Sequence, residues 1–174
     1  MTGYKYASFK EYLEHEYKGP YTATDIIIRY QDNLGEKPKT GVVLIDRKGY
    51  PFGLAWPGGI AEHMTWAENA IKEAKEETGL DAIIDNCEKP LCALSGLKDD
   101  PRAHIGTIVY TAQGYGILKP DPKEDANYAI VLTNDELYDM TLPQNADKWA
   151  FQRHKHIAEL YLKEIQYVPS TSKP

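Results

Sequence analysis

The stretch Gly58–Leu80 reads GGIAEHMTWAENAIKEAKEETGL and carries the most informative signals in the sequence. Thr65 and Glu68 stand three residues apart before an apolar-periodic run, which is the pattern of a capping box at the start of a helix. Gly79 occupies the position at which helices often end in the left-handed conformation. The stretch therefore predicts a helix that opens after Thr65 and runs to Thr78.

The predicted helix carries three glutamates on one side. Glu73, Glu76 and Glu77 share this side at helical spacing. Like charges four residues apart destabilise an isolated helix, whereas a shared divalent cation would reverse this cost, because Mg²⁺ prefers carboxylate oxygens. The alternative is a solvated acidic face that Lys72 and Lys75 partly neutralise.

A glycine pair precedes the helix and indicates a second feature. A predicted strand ends at Trp56, Pro57 stops its pairing, and Gly58 and Gly59 carry no side chains. Backbone amides just before a helix N-terminus can approach an anion closely. An amide cradle for phosphate beside a carboxylate cluster for metal predicts metal-assisted attack on a phosphoanhydride.

The same segment resembles the Nudix box, the signature GX5EX7REUXEEXGU of the Nudix hydrolases, in which U is aliphatic. Lys72–Leu80 follows the second half of the signature, with Lys72 in place of Arg and Ala74 in place of a larger aliphatic residue. Gly58 falls on the leading glycine, and Met64 falls on the first glutamate of the signature. The preceding run GVVLIDRKGYPFGLAWPGG also resembles the family, and the likeness extends over most of the chain.

The resemblance implies an α/β fold: a Nudix fold, with an α/β/α sandwich around a mixed β-sheet. Residues 1–174 are then a single domain, with an N-terminal helical extension at 1–20, the box at 58–80 and a frayed tail at 168–174. A homodimer is also implied.

Site roles follow from the resemblance as well. It implies that three residues are both catalytic and ligands of Mg²⁺ or Mn²⁺: Glu73, Glu76 and Glu77. Four further residues are expected to contact substrate: Gly58, Gly59, Glu62 and Arg102. The general base is one of the box glutamates or an acidic loop residue, for which Glu124 and Asp125 are the candidates. A solvated acidic loop is the alternative for this pair.

The expected substrate is a nucleoside diphosphate linked to another moiety. The segment Asp100–His104 resembles the DPRxH segment of ADP-ribose pyrophosphatase-like Nudix proteins, although Leu97 stands where that group often has proline. Arg102 either contacts phosphate or ribose, or pairs with Asp100 to set the loop. ADP-ribose, hydrolysed to AMP and ribose 5-phosphate, is the first expectation. The alternatives are a nucleoside triphosphate pyrophosphatase and a nucleotide-binding or sensing domain with little catalysis.

The remaining pattern predicts strands and helices on both sides of the box. Apolar and β-branched runs predict strands at 24–30, 41–46, 52–56, 81–85, 91–95, 104–112 and 127–132. Helical patterns occur at 8–18 and 147–166, with a short helical turn at 134–137. Strands before and after a central helix predict a mixed sheet covered on both faces.

Composition excludes several classes of function. The formal net charge is −6, and an acidic chain is repelled by polyanions, so we expect no nucleic-acid partner. No apolar run is long enough for a membrane span, and none resembles a signal peptide, so we expect a cytoplasmic protein. The two cysteines, Cys87 and Cys92, are expected to be buried free thiols. Three scattered histidines are expected to be structural or exposed rather than metal ligands: His104, His154 and His156.

Overall fold

The structure is a computed structural model that describes residues 8–33, 35 and 37–170. Its helices are α1 (Phe9–His15), α2 (Trp66–Thr78), α3 (Asn134–Thr141) and α4 (Gln152–Glu164), with a 3₁₀ helix at Pro143–Lys148. Its strands are β1 (Tyr21–Asp32), β2 (Lys39–Arg47), β3 (Leu54–Ala55), β4 (Gly58–Ile60), β5 (Asp81–Ile84), β6 (Cys92–Leu94), β7 (Ile105–Tyr115) and β8 (Ala126–Leu132).

Strand β1 separates two hydrophobic clusters. Its successive isoleucines alternate between the faces of the sheet, as side chains on a strand must. Ile26 and Ile28 pack in the same cluster as Ala70 of α2, whereas Ile27 packs with Ile157 of α4. All three isoleucines are fully buried. The predicted α/β/α sandwich is therefore confirmed, with α2 on one face of the sheet and α4 on the other.

The sheet is mixed, as the sequence predicted. Its main path runs β3-β2-β1-β7-β5, with β4, β6 and β8 paired to β1, β7 and β2. β1 and β7 are parallel, and the other pairs are antiparallel. The pairing of β4 with β1 sets Gly58 opposite Asp25. This register brings the glycine pair against the middle of the sheet.

Helix α2 is held at both of its ends. The Thr65 side chain accepts from the Glu68 backbone N–H, and the Glu68 carboxylate accepts from the Thr65 N–H at 2.9 Å. Gly79 has φ of 78° and donates its N–H to the Lys75 carbonyl. A Cβ at Gly79 would lie 2.3 Å from the Lys119 carbonyl oxygen, so both the conformation and the space require glycine. The predicted capping box and helix end are confirmed.

Several predicted boundaries differ from the structure. Gly58–Ile60 forms strand β4, although the sequence predicted that strand pairing stops at Pro57. The last helix begins at Gln152 rather than 147, because Pro143 opens a separate 3₁₀ helix and Trp149 is extended. The Trp149 indole donates to the Met140 carbonyl at 2.8 Å, which fixes this residue against the end of α3. α3 is longer than the helical turn predicted at 134–137.

The cysteines and the chain ends differ in part from what the sequence predicted. Both cysteines are free thiols, but Cys87 is exposed and Cys92 is half-buried, so the prediction that they are buried was wrong. Of the helical extension predicted at 1–20, residues 1–7 lie outside the described part of the chain. Of the predicted frayed tail, 171–174 also lie outside it, while the Ser170 backbone donates to Asp135 at 3.3 Å. No helix within the described ranges is long and apolar enough to cross a membrane.

Candidate active site

A cleft of about 170 Å³ opens where β1, β4 and α2 meet. It collects carboxylates from α2 and from the loop before β8, together with three arginines. Its polar and glycine lining residues are Asp25, Arg47, Gly58, Gly59, Glu73, Glu77, Arg102, Glu124, Asp125, Arg153 and His154. The cleft therefore offers oxygen donors and cationic groups within one cavity.

Glu77 is the most deeply buried carboxylate that α2 contributes. The residue is 3% exposed, and its Oε2 accepts the Gly58 backbone N–H at 2.8 Å. Burial raises the pKa of Glu77 to about 8, and the negative charges of Glu73 and Asp125 add to this effect. Strand β4 and helix α2 are thus joined through a carboxylate that carries a strong electrostatic penalty when ionised.

Glu73 lies directly against the glycine pair. A Cβ built on Gly59 would come within 2.8 Å of the Glu73 carboxylate, so the absence of a side chain there makes room for it. Burial raises the pKa of Glu73, and the charges of Glu76 and Glu124 act in the same direction. The helix and loop carboxylates therefore affect one another electrostatically.

Lys72 compensates part of this negative charge. Its Nζ lies 2.7 Å from Glu76 Oε2 and 3.2 Å from Glu73 Oε1. The hydrogen bond to Glu76 raises the pKa of the ammonium group.

Two predicted site residues lie outside the cleft. Glu76 does not line it, and Glu62 lines an adjoining groove that shares Glu73 with the cleft. Five of the seven predicted catalytic, metal and substrate residues thus face the cleft: Gly58, Gly59, Glu73, Glu77 and Arg102.

The two loop candidates for the general base differ in their partners. Asp125 forms an ion pair with buried Arg47, with 2.6 Å between Oδ2 and Nη2. Glu124 is half-buried, and its charge contributes to the raised pKa of Glu73. The ion pair fixes the Asp125 carboxylate against Arg47, whereas the Glu124 carboxylate lies near enough to Glu73 to affect it electrostatically.

Arg102 forms a bidentate pair with Asp100. Its Nε and Nη2 donate to the two carboxylate oxygens at 3.0 and 2.8 Å, and its backbone N–H also donates to Oδ1. This is the loop-setting role that the sequence left open. The guanidinium nevertheless lines the cleft and lies 5.4 Å from the centre of the Phe151 ring. Both roles are therefore compatible with the structure.

The histidines do not form a metal centre. His104 contacts the Ser95 carbonyl, His156 contacts Glu159, and His154 is buried beside Asp25. Within residues 8–33, 35 and 37–170, no three His, Cys, Asp or Glu side chains form a ready metal-binding group.

The carboxylates of the cleft nevertheless suit a divalent cation chemically. Glu73, Glu77 and Glu124 supply only oxygen donors, as Mg²⁺ and Mn²⁺ prefer. Their burial and mutual repulsion raise the pKa of both helix carboxylates, and a cation bound among them would relieve that repulsion. The donor set therefore fits a divalent cation chemically.

Three cleft residues were not singled out from the sequence: Asp25, Arg47 and Arg153. Asp25 is a charged residue inside the apolar run 24–30, and a charge in a strand covered on both faces needs a buried partner. That signal was available in the sequence. Arg153 lies in the predicted helix 147–166, and nothing in its spacing indicated a place in the cleft.

Several solved protein structures superpose on this chain. No protein-family profile and no curated protein matches the sequence. The NUDIX domain of Shewanella oneidensis NrtR, solved with ADP ribose, superposes with a TM-score of 0.66 at 17% identity, covering 91% of this chain and 99% of that one. A MutT/nudix family protein from Enterococcus faecalis gives 0.64 at 24% identity, covering 92% and 70%.

A third similar structure is a bifunctional NMN adenylyltransferase/ADP ribose pyrophosphatase from Francisella tularensis, complexed with AMP and a Mn ion. It gives a TM-score of 0.60 at 19% identity, covering 89% of this chain and 44% of that one. At these identities the likeness establishes the shared fold. The chain has the Nudix fold, as the box predicted.

A substitution at the glycine pair tests the packing of Glu73. Gly59→Ala places a methyl group against the flexible end of Glu73, so we expect the carboxylate to move while the fold persists. Loss of one well-placed ligand oxygen should weaken Mn²⁺ binding about tenfold, which is about 1.4 kcal/mol. Calorimetric titration with Mn²⁺ measures this. Gly35→Ala, where a new Cβ would lie 3.6 Å from the Lys37 carbonyl oxygen, is the control. Unchanged Mn²⁺ affinity in Gly59→Ala would contradict the role given to Glu73.

Proposed function

We propose that this chain is a metal-dependent Nudix hydrolase that cleaves the diphosphate of a nucleoside diphosphate linked to another moiety. ADP-ribose, giving AMP and ribose 5-phosphate, is the proposed substrate. The observation that carries the proposal is the single cleft in which Glu73 and Glu77 lie beside the glycine pair, opposite a loop glutamate and three arginines. Proteins of the same fold that were solved with ADP ribose, or that are ADP ribose pyrophosphatases, support the substrate class.

The residues of the cleft divide into three roles. Glu73 and Glu77 would hold Mg²⁺ or Mn²⁺, and Glu124 would serve as the general base. When bound, the ion neutralises the diphosphate and lowers the pKa of a water molecule. Arg102 lies at the cleft with its side chain 43% exposed and can meet a phosphate oxygen without leaving Asp100.

The reaction itself adds one water across the phosphoanhydride. The water oxygen bonds to one phosphorus, and the bridging oxygen leaves with the other phosphate. Glu124 would accept the proton of the attacking water, because Asp125 is held by Arg47. Gly58 donates its backbone N–H to Glu77 and so fixes the carboxylate beside the first residue of β4.

The proposal predicts metal-dependent release of AMP from ADP-ribose. The assay compares ADP-ribose with nucleotide sugars and nucleoside triphosphates, each with Mg²⁺, with Mn²⁺ and with a chelator. We expect AMP and ribose 5-phosphate only when metal is present. Cleavage of another panel member would retain the mechanism and replace the substrate, and release of pyrophosphate from a triphosphate would identify a triphosphate pyrophosphatase.

A sensing domain is the second candidate. Two observations favour it: Met64 and Lys72 depart from the box, and Lys72 engages both Glu73 and Glu76. Tight binding of ADP-ribose with no metal-dependent turnover of any panel member would establish this function instead. The homodimer implied by the resemblance belongs to the same proposal and is tested by light scattering of the purified chain.

A further inference from the structure

Two buried nitrogen atoms at the floor of the cleft have no hydrogen-bond partner. They are Arg153 Nε and His154 Nε2, and among the described residues no other buried side-chain nitrogen or oxygen shares this condition. Both side chains line the cleft from the start of α4. Buried donors are almost always satisfied, because an unmade hydrogen bond in a protein interior is costly. Two adjacent unpartnered donors indicate a place for acceptor oxygens.

The hydrogen-bonding state of His154 follows from its other nitrogen. Nδ1 lies 3.0 Å from the Trp56 backbone nitrogen, whose N–H can only donate. Nδ1 is therefore the acceptor, and the neutral ring carries its hydrogen on Nε2. Burial, together with the charges of nearby arginines, holds the pKa of His154 well below its usual range. The ring thus presents a neutral N–H donor in a fixed direction.

Asp25 supplies an acceptor beside this donor. Its Oδ1 lies 3.5 Å from His154 Nε2, beyond a hydrogen bond, while its Oδ2 accepts from the Thr107 hydroxyl at 2.6 Å. Burial raises the pKa of Asp25 to about 6, so the carboxylate is mainly ionised at neutral pH. Asp25 is 4% exposed and His154 is 2% exposed. Only a small group can reach the pair.

The charge around the pair favours a neutral ligand group. Each of the three arginines already contacts a carboxylate: Arg47 with Asp125, Arg102 with Asp100 and Arg153 with Asp100. Arg102 and Arg153 share one carboxylate, and Asp25 balances the remaining positive charge. A phosphate at the floor would therefore add negative charge where arginines and aspartates are already equal in number. A hydroxyl group is neutral, and it both accepts and donates a hydrogen bond.

We propose that His154 and Asp25 form a subsite for a sugar hydroxyl of the substrate. The hydroxyl oxygen accepts from His154 Nε2 and donates its hydrogen to Asp25 Oδ1. This inference rests on the proposed function, because the sugar is part of the nucleoside diphosphate derivative. It assigns these two residues to substrate recognition and gives the cleft a preference for hydroxylated sugars over deoxy sugars.

Two substitutions at one position separate recognition from packing. In His154→Asn, the amide oxygen can replace Nδ1 as acceptor for Trp56, while the cleft donor is lost. In His154→Gln, the amide nitrogen can replace Nε2 as donor. Thermal unfolding of both variants reports whether each one folds.

The measurement is calorimetric binding of ADP-ribose and of analogues that each lack one hydroxyl on one of the two riboses, with chelator present to prevent turnover. We expect the wild-type chain to bind one analogue about tenfold more weakly than ADP-ribose, the usual scale for one hydrogen bond. His154→Asn should bind ADP-ribose about tenfold more weakly and show no further loss with that analogue. His154→Gln should retain the preference.

Several results would overturn the subsite. They are equal binding of ADP-ribose and every analogue by the wild-type chain, binding of none of them, or an undiminished preference in folded His154→Asn. A failure of the proposed function is read separately, as absence of cleavage by the wild-type chain with metal. A chain that binds with this preference but does not cleave would keep the subsite and lose the enzyme.

Discussion

Replacing Glu77 with Gln is expected to lower turnover at least about a hundredfold, on the scale of losing a preorganised electrostatic contact to the reacting group. The amide keeps the size of the side chain and can still accept the Gly58 N–H, but it carries no negative charge to hold a divalent cation. The same change should raise the melting temperature at pH 9, because it removes a buried carboxylate whose pKa lies at about 8. Activity and stability should therefore move in opposite directions.

The control for this substitution is Glu164→Gln, an exposed glutamate at the end of α4. It should leave both turnover and melting temperature close to wild type. Steady-state kinetics and thermal unfolding of the three proteins measure the comparison. Near-complete turnover in Glu77→Gln would show that the carboxylates of α2 do not perform the chemistry.

Addition of Mg²⁺ is expected to stabilise the chain more at pH 8 than at pH 5. The folded-state pKa of Glu77 is raised above its ordinary value of 4.5, so its contribution to stability is fully present below that value. The contribution is lost as pH rises through about 8. A divalent cation competes with protons for the carboxylates, and it binds best where they are ionised.

The expected size follows from mass action. Metal at about 100 times its dissociation constant adds about 2.7 kcal/mol, which shifts the melting temperature of a domain of this size by about 5–10 °C. Scanning calorimetry with and without Mg²⁺ at the two pH values measures this, with Glu77→Gln as the variant in which the shift should be largely lost. Equal stabilisation at pH 5 and pH 8, or none at either, would exclude these carboxylates as the metal site.

Local sequence signals predicted helix α2 and its ends correctly. The capping box at Thr65 and the glycine at 79 act within one turn of the chain, so their patterns can be read without knowledge of the fold. Strand β4 was not predicted because its partner, strand β1, is distant in sequence. Two glycines carry no local signal for a strand, and here the hydrogen bonds to β1 make them one.

Some residues of the site could likewise be predicted from local sequence, and others could not. Glu73 and Glu77 belong to one short signature, so resemblance to that signature singled them out from the sequence alone. Arg153 reaches the cleft only because α4 packs on the sheet, and neither helical periodicity nor composition contains that information. The side chain of Glu76 turns to Lys72 outside the cleft, a detail that depends on rotamers rather than on helical spacing.

The anchoring of α2 has an evolutionary consequence. The capping box, the left-handed glycine and the apolar contacts of Ala70 and Ala74 hold the helix without help from Glu73 or Glu76. Substitutions at these two glutamates can therefore accumulate without loss of the scaffold. A sequence with this anchoring can change the ligand chemistry of its cleft through single substitutions while α2 keeps its place.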